Sequence, residues 1–153
     1  MVSCAAGGIP VDSTKEDALF RLENAAKTLG MEAVRDWKIS GGEIDLVWFL
    51  KTKKKIGDMF GCRGPRIPVI AFCIQNGRAD KRKIKRDMFN LMMLSPTCGV
   101  VLLLDSGKGG GGKDAKLVGE VKKFAEDVSD VCNIAVWTGQ DMEKMLGLLS
   151  AGK

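Results

Sequence analysis

The chain contains no histidine and no tyrosine. The first absence removes Ser/His and Cys/His nucleophile pairs, HExxH zinc sites and imidazole general bases. The second removes a phosphotyrosyl intermediate. The five cysteines (Cys4, Cys62, Cys73, Cys98 and Cys132) are odd in number and form no CxxC pair, so reduced, mostly buried thiols are expected rather than a disulfide framework or a zinc ribbon. No apolar run reaches the roughly 18 residues of a membrane span. The opening segment MVSCAAGGIPVDS also lacks the basic and continuously apolar regions of a signal peptide, and a cytoplasmic protein with no membrane partner is expected. For hydrolytic chemistry these absences leave carboxylate, lysine and a hard metal.

What is present is the mixture of an ordinary folded domain: 153 residues, 45% hydrophobic and 28% charged. A tail over 1–13 and one α/β domain over 14–150 are expected. Apolar residues at helical spacing (Ala18, Leu19, Leu22, Ala25, Ala26, Leu29) predict a helix over 14–29, stopped by Gly30. Strands are predicted over 32–39, 43–51 and 67–75, the last two joined by a basic, glycine-containing loop. A helix over 80–94 with Ile84, Met88, Leu91 and Met92 inward ends at Pro96. The continuously apolar Gly99–Leu104 reads as a buried strand, followed by a helix near 114–128, a strand over 133–137 and a short helix over 141–149. The order αβββαβαβα predicts a mixed sheet with helices on both faces.

Charge is uneven. Residues 51–86 hold twelve Lys/Arg against Asp58 and Asp80, a net of +10, whereas the whole chain is +5 and the remainder is therefore −5. Clustered Lys/Arg neutralise phosphates, so a nucleic-acid partner is expected through Lys53, Lys54, Lys55, Arg78, Lys81, Arg82, Lys83, Lys85 and Arg86. The competing reading is a set of solvated loop and helix faces. Trp37, Trp48 and Phe60 are expected to be core or edge packing residues, with base stacking as the other reading.

Two segments carry a more specific signal: GGEIDLVWFLK (41–51) with its acid at Asp45, and IPVIAFCIQ (67–75), whose Cys73 lies 28 residues further on. Together with the element order over roughly 14–137, they resemble the PD-(D/E)XK nuclease superfamily, the fold of restriction endonucleases and archaeal Holliday-junction resolvases. The resemblance implies a restriction-endonuclease-like sheet. It also implies a Mg²⁺ or Mn²⁺ site, and DNA as the substrate class. Such nucleases are often homodimers. Residues i and i+2 of a strand share a face, which lets two side chains converge on one metal.

By that resemblance Asp45 matches the family aspartate. Glu16, on the first helix, takes the usual place of an accessory acid, so that Asp45 and Glu16 are the expected metal ligands; Glu23 is less well placed. Cys73 stands where the family has Glu and Gln75 where it has Lys, with Lys81, Lys83 or Lys85 available from the next helix to replace the missing lysine. A thiol is a soft ligand, ill suited to Mg²⁺, and mostly neutral at physiological pH. Cys73 is therefore a remnant of a degenerate metal site, a core cysteine of an unrelated fold, or part of a working site with substituted ligands.

A second motif, GKGGGGK (107–113), satisfies the GxxxxGK spacing of a phosphate-binding loop. Asp114 stands where that loop needs Ser or Thr, so a flexible glycine loop is expected, with Lys108 and Lys113 near nucleic acid if the fold is nuclease-like. The leading expectation is a nucleic-acid-binding protein of nuclease-like fold with impaired or lost cleavage. Behind it stand an active Mg²⁺- or Mn²⁺-dependent endonuclease built on Asp45, Glu16 and Gln75, and a non-catalytic scaffold.

Overall fold

Periodicity along the chain becomes layers in space. In the computed structural model, residues 12–62, 64–76, 81–104 and 111–151 are described. Helix α1 (Asp12–Thr28) buries Ala18, Leu19, Leu22, Ala25 and Ala26 along one stripe. It ends at Gly30, whose φ of 75° suits a residue without Cβ. Strands β1 (Glu32–Ile39), β2 (Gly42–Lys51) and β3 (Arg66–Asn76) run as an antiparallel meander, with the short helix α2 (Lys54–Met59) between the last two. Helix α3 (Lys81–Leu94), β4 (Cys98–Leu104), α4 (Gly111–Asp127), β5 (Ile134–Thr138) and α5 (Gly139–Ala151) follow, with β4 parallel to β3 and β5 parallel to β4. The protein is α/β: one five-stranded mixed sheet in the order β1-β2-β3-β4-β5, flanked by helices.

Each face of the sheet has its own core. Ile44, Val47, Phe49, Ala71, Cys73 and Val101 pack against Ile84, Met88 and Leu91 of α3 and Val121 and Ala125 of α4. Leu46, Trp48, Phe72, Ile74, Val100 and Leu102 pack against α1 and Met142 of α5. Fully buried side chains such as Phe72, Ile74 and Leu102 each contribute about 1.5–3 kcal/mol, which makes β3 and β4 the rigid centre on which the flanking groups are mounted. Trp48 is 2% exposed and is a core residue, edge-to-face with Phe72.

Strand bounds agree with expectation to within one residue, but the predicted αβββ opening is interrupted by α2. The backbone N–H groups of Ile56 and Gly57 both donate to the Lys53 carbonyl, closing a helical turn inside the segment expected to be loop. Among the described residues no helix is long and apolar enough to cross a membrane.

Candidate functional site

The sheet forks at one end. Strands β2 and β3 pair from Leu46–Phe72 to Lys51–Arg66 and no further. Beyond that point Gly42–Ile44 stay with β1, while Cys73–Asn76 stay with β4. The β1–β2 ladder also omits the pair Asp36–Asp45, and Asp36 has φ 51°, a left-handed conformation that Asp tolerates better than most residues. Side-chain alternation along β2 slips at this break: Ile44 faces α3 whereas Leu46 faces α1. Asp45 is thereby released from a regular strand position into the gap of the fork.

Its carboxylate is held on both oxygens. The Ile74 N–H donates to Oδ2 at 2.7 Å, replacing the strand partner that β3 has lost, and Lys15 of α1 lies 2.9 Å from Oδ1. On the α3 side, the Gln75 side-chain amide donates to Asp87 Oδ2, and the Cys73 thiol lies 3.8 Å from the Asp87 carbonyl oxygen. Burial pushes the Asp87 carboxyl up to about 6, against the hydrogen bond from Gln75; the negative charge of Asp45 adds to the rise, and Lys83 and Lys15 offset part of it. Burial, reinforced by Asp87 and Asp45, also pushes the Cys73 thiol well above its ordinary range, so it is neutral at physiological pH. Asn90, one turn beyond Asp87, is buried against Gly42, where a Cβ would come within 2.8 Å of its amide nitrogen.

Cys73 and Gln75 thus share the α3 side of β3, both reaching Asp87, while Asp45 stands in the gap beside Cys73 with its carboxylate turned to the Ile74 N–H and to Lys15 of α1. Glu16 lies elsewhere: it pairs with Arg35, 2.8 Å away, and Glu23 pairs with the same guanidinium. These two carboxylates, Glu23 foremost, raise the Arg35 pKa. The helical stripe explains the exchange. Lys15 is one turn before the inward Ala18 and Leu19, while Glu16 and Glu23 share the next stripe round. Lys15 and Asp87 are the site residues that sequence reading did not name. Lys15 was detectable from its register with Leu22, and Asp87 as the single acid in the basic helix KRKIKRDMFNLMML.

The basic residues divide into two groups. Lys53, Lys54 and Lys55 are exposed around α2, at the Arg66 end of β3, whereas Lys81, Arg82, Lys83, Lys85 and Arg86 are exposed on the first turns of α3, at the fork. At about 3.3 Å per residue, the eleven residues of β3 keep the groups roughly 30 Å apart along the strand. Within them Lys54 pairs with Asp58 and Lys81 with Glu120, and Lys85 lies over the Phe124 ring. Arg82 and Arg86, one turn apart, have no ion-pair partner among the described residues. Arg78 and residues 105–110, including Lys108, lie outside the described residues; Lys113 and Asp114 fall in the first turn of α4, which starts at Gly111 rather than near 114.

The fork does not fit the hard metal that the resemblance implies. Both oxygens of Asp45 are engaged, one of them by a cation already present, and the neighbouring donor is a neutral thiol. No three metal-ligating side chains come together among the described residues. No family model matches the chain, and comparison with curated proteins and with solved structures finds no match either.

Proposed function

We propose that the protein binds nucleic acid, DNA in the first instance, through the basic N-terminal half of α3, and that the fork beneath it is a closed joint with little or no phosphodiester cleavage. The observation that carries this reading is the placement of five cations in the first six residues of a helix with no acid in its first turn. Those in the first turn, Lys81, Arg82 and Lys83, oppose the helix dipole, each at a cost of about 0.3–1 kcal/mol. A sequence that accepts such a cost at consecutive positions is matched to something outside the helix. Phosphates meet both the side chains and the positive end of the helix.

The joint reading rests on Asp45. Lys15 neutralises it from α1, the Ile74 amide fixes its direction, and Gln75 holds Asp87 on the opposite side. These contacts tie α1, β2, β3 and α3 together where the sheet has no ladder of its own. The second reading is a Mg²⁺- or Mn²⁺-dependent endonuclease, favoured by Asp87, a carboxylate from α3 that shares the electrostatic environment of Asp45 and so supplies an acid where Cys73 lacks one.

The test is a duplex binding and cleavage assay with Mg²⁺ and then Mn²⁺. Wild type is expected to bind and leave the DNA intact, and Arg82→Glu/Arg86→Glu to lose at least tenfold in affinity, about 1.4 kcal/mol. Metal-dependent cutting that Asp45→Ala abolishes overturns the closed-joint reading in favour of the second.

A further inference from the structure

The short helix α2 is an unusual insertion for a hairpin connection, because it displays apolar side chains rather than hiding them. Met59 is 84% exposed, Phe60 70% and Ile56 40%. Phe60, expected from sequence to pack in the core or at an edge, stands in solvent. Nor is the segment a loose loop. Thr52 N–H donates to the Pro65 carbonyl at 2.9 Å, closing its base, and Cys62 N–H donates to Gly57 at 2.9 Å, folding its far side back. Gly57 is buried so tightly beneath the Gly64 carbonyl that an added Cβ would collide with that backbone oxygen. The clasp holds Met59 and Phe60 outward on a fixed backbone, and exposed Lys51, Lys53, Lys54 and Lys55 surround its base against the single acid Asp58.

We propose that this clasp is a wedge for a nucleic-acid duplex: Met59 and Phe60 insert at a base step while the four lysines take the flanking phosphates. The proposal rests on the nucleic-acid reading above and adds a second contact, at the other end of β3 from the fork. Its chemistry matches the partner in both parts. Apolar side chains carried on a protrusion unstack a base step from the minor groove, and surrounding cations neutralise the backbone on either side. A six-residue helix is about 9 Å long, the scale of a groove. A second copy of the chain is a poor occupant, since a two-fold contact would set each lysine cluster against its own image. An anionic bilayer shares the charge preference, but its affinity scales with the apolar area it buries, and a helix of under two turns with few apolar side chains offers little.

The experiment uses the full chain and one duplex carrying 2-aminopurine at its centre and a donor–acceptor dye pair at its ends. Anisotropy reads binding, 2-aminopurine fluorescence reads unstacking, and energy transfer reads bending. Wild type is expected to bind, unstack and bend the duplex. Met59→Ser/Phe60→Ser should still bind, with affinity lowered about tenfold, while both deformation signals disappear; the altered side chains are in solvent, and an unchanged melting temperature confirms that the variant folds. Binding by wild type with a straight, stacked duplex overturns the wedge and leaves the α3 reading standing. Deformation that survives in the double variant overturns it equally. Failure of wild type to bind any duplex removes the nucleic-acid reading and the wedge with it. Flotation with phosphatidylserine vesicles, lost in the double variant and unaccompanied by duplex binding, assigns the tip to a bilayer and overturns the proposal.

Discussion

Asp87 is where the energetics of the fork are most readily measured. Its carboxyl is raised to about 6 by burial, against an ordinary value of 3.8. Between those values the folded state binds more protons than the unfolded state, so its contribution to stability is complete below about pH 4 and is lost as pH rises through about 6. Asp87→Asn keeps an oxygen acceptor for Gln75 and removes the titration. Chemical denaturation should find the variant more stable than wild type by about 1–2 kcal/mol at pH 8, allowing for partial solvent screening, with no difference near pH 4. Lys15 acts in the other direction. Lys15→Met leaves the Asp45 carboxylate with the Ile74 amide alone and should destabilise the protein by about 1–2 kcal/mol. If Lys15 holds the place of a metal cation, then Lys15→Ala/Cys73→Glu should melt several degrees higher with millimolar Mn²⁺, and wild type should not respond. Cys73 and Gln75 were legible as a pair because strand residues two apart share a face, and Asp45 was legible only through the motif that GEIDLVW resembles. Lys15 and Asp87 reach the same place from two helices on opposite faces of the sheet, a meeting that only the tertiary fold specifies.

At the scale of elements, the meander, the two parallel strands and their helices could be read from periodicity. Each is long enough to repeat its pattern and buries one face or both. Helix α2 could not. Six residues with a glycine among them do not complete two turns, and its stability comes from closing hydrogen bonds and the Gly57–Gly64 contact rather than from an apolar stripe. Gly57→Ala is therefore expected to disorganise the clasp locally. Amide exchange at Ile56–Cys62 should rise steeply while the amides of β3 and β4 stay protected. Loss of protection throughout the sheet would mean that the clasp supports the core, contrary to its exposed position. The fork was likewise hidden from the sequence. An alternation that slips by one residue at Asp45 looks the same on paper as a regular strand, and only the missing ladder pairs show β2 and β3 parting company.

Across the whole molecule, a single basic region in sequence becomes two, separated by the length of β3. Residues 51–86 are contiguous in the chain, but the hairpin carries Lys53–Lys55 to one end of the sheet and the helix that follows carries Lys81–Arg86 to the other. Their combined excess of charge persists in a chain whose remaining residues are net acidic. Such a division gives the molecule two positive poles, each able to attract a polyanion. The most direct test is equilibrium binding of the full chain to duplex DNA by anisotropy from about 50 to 200 mM salt. With four to five phosphates neutralised by α3 alone, log K should fall against log salt with a slope of about −4, steepening toward about −8 when the four lysines of the clasp engage the same duplex, and Arg82→Glu/Arg86→Glu should flatten the slope by about two in either case. Affinity that does not change with salt, or a slope unaffected by the two arginines, would contradict recognition through α3.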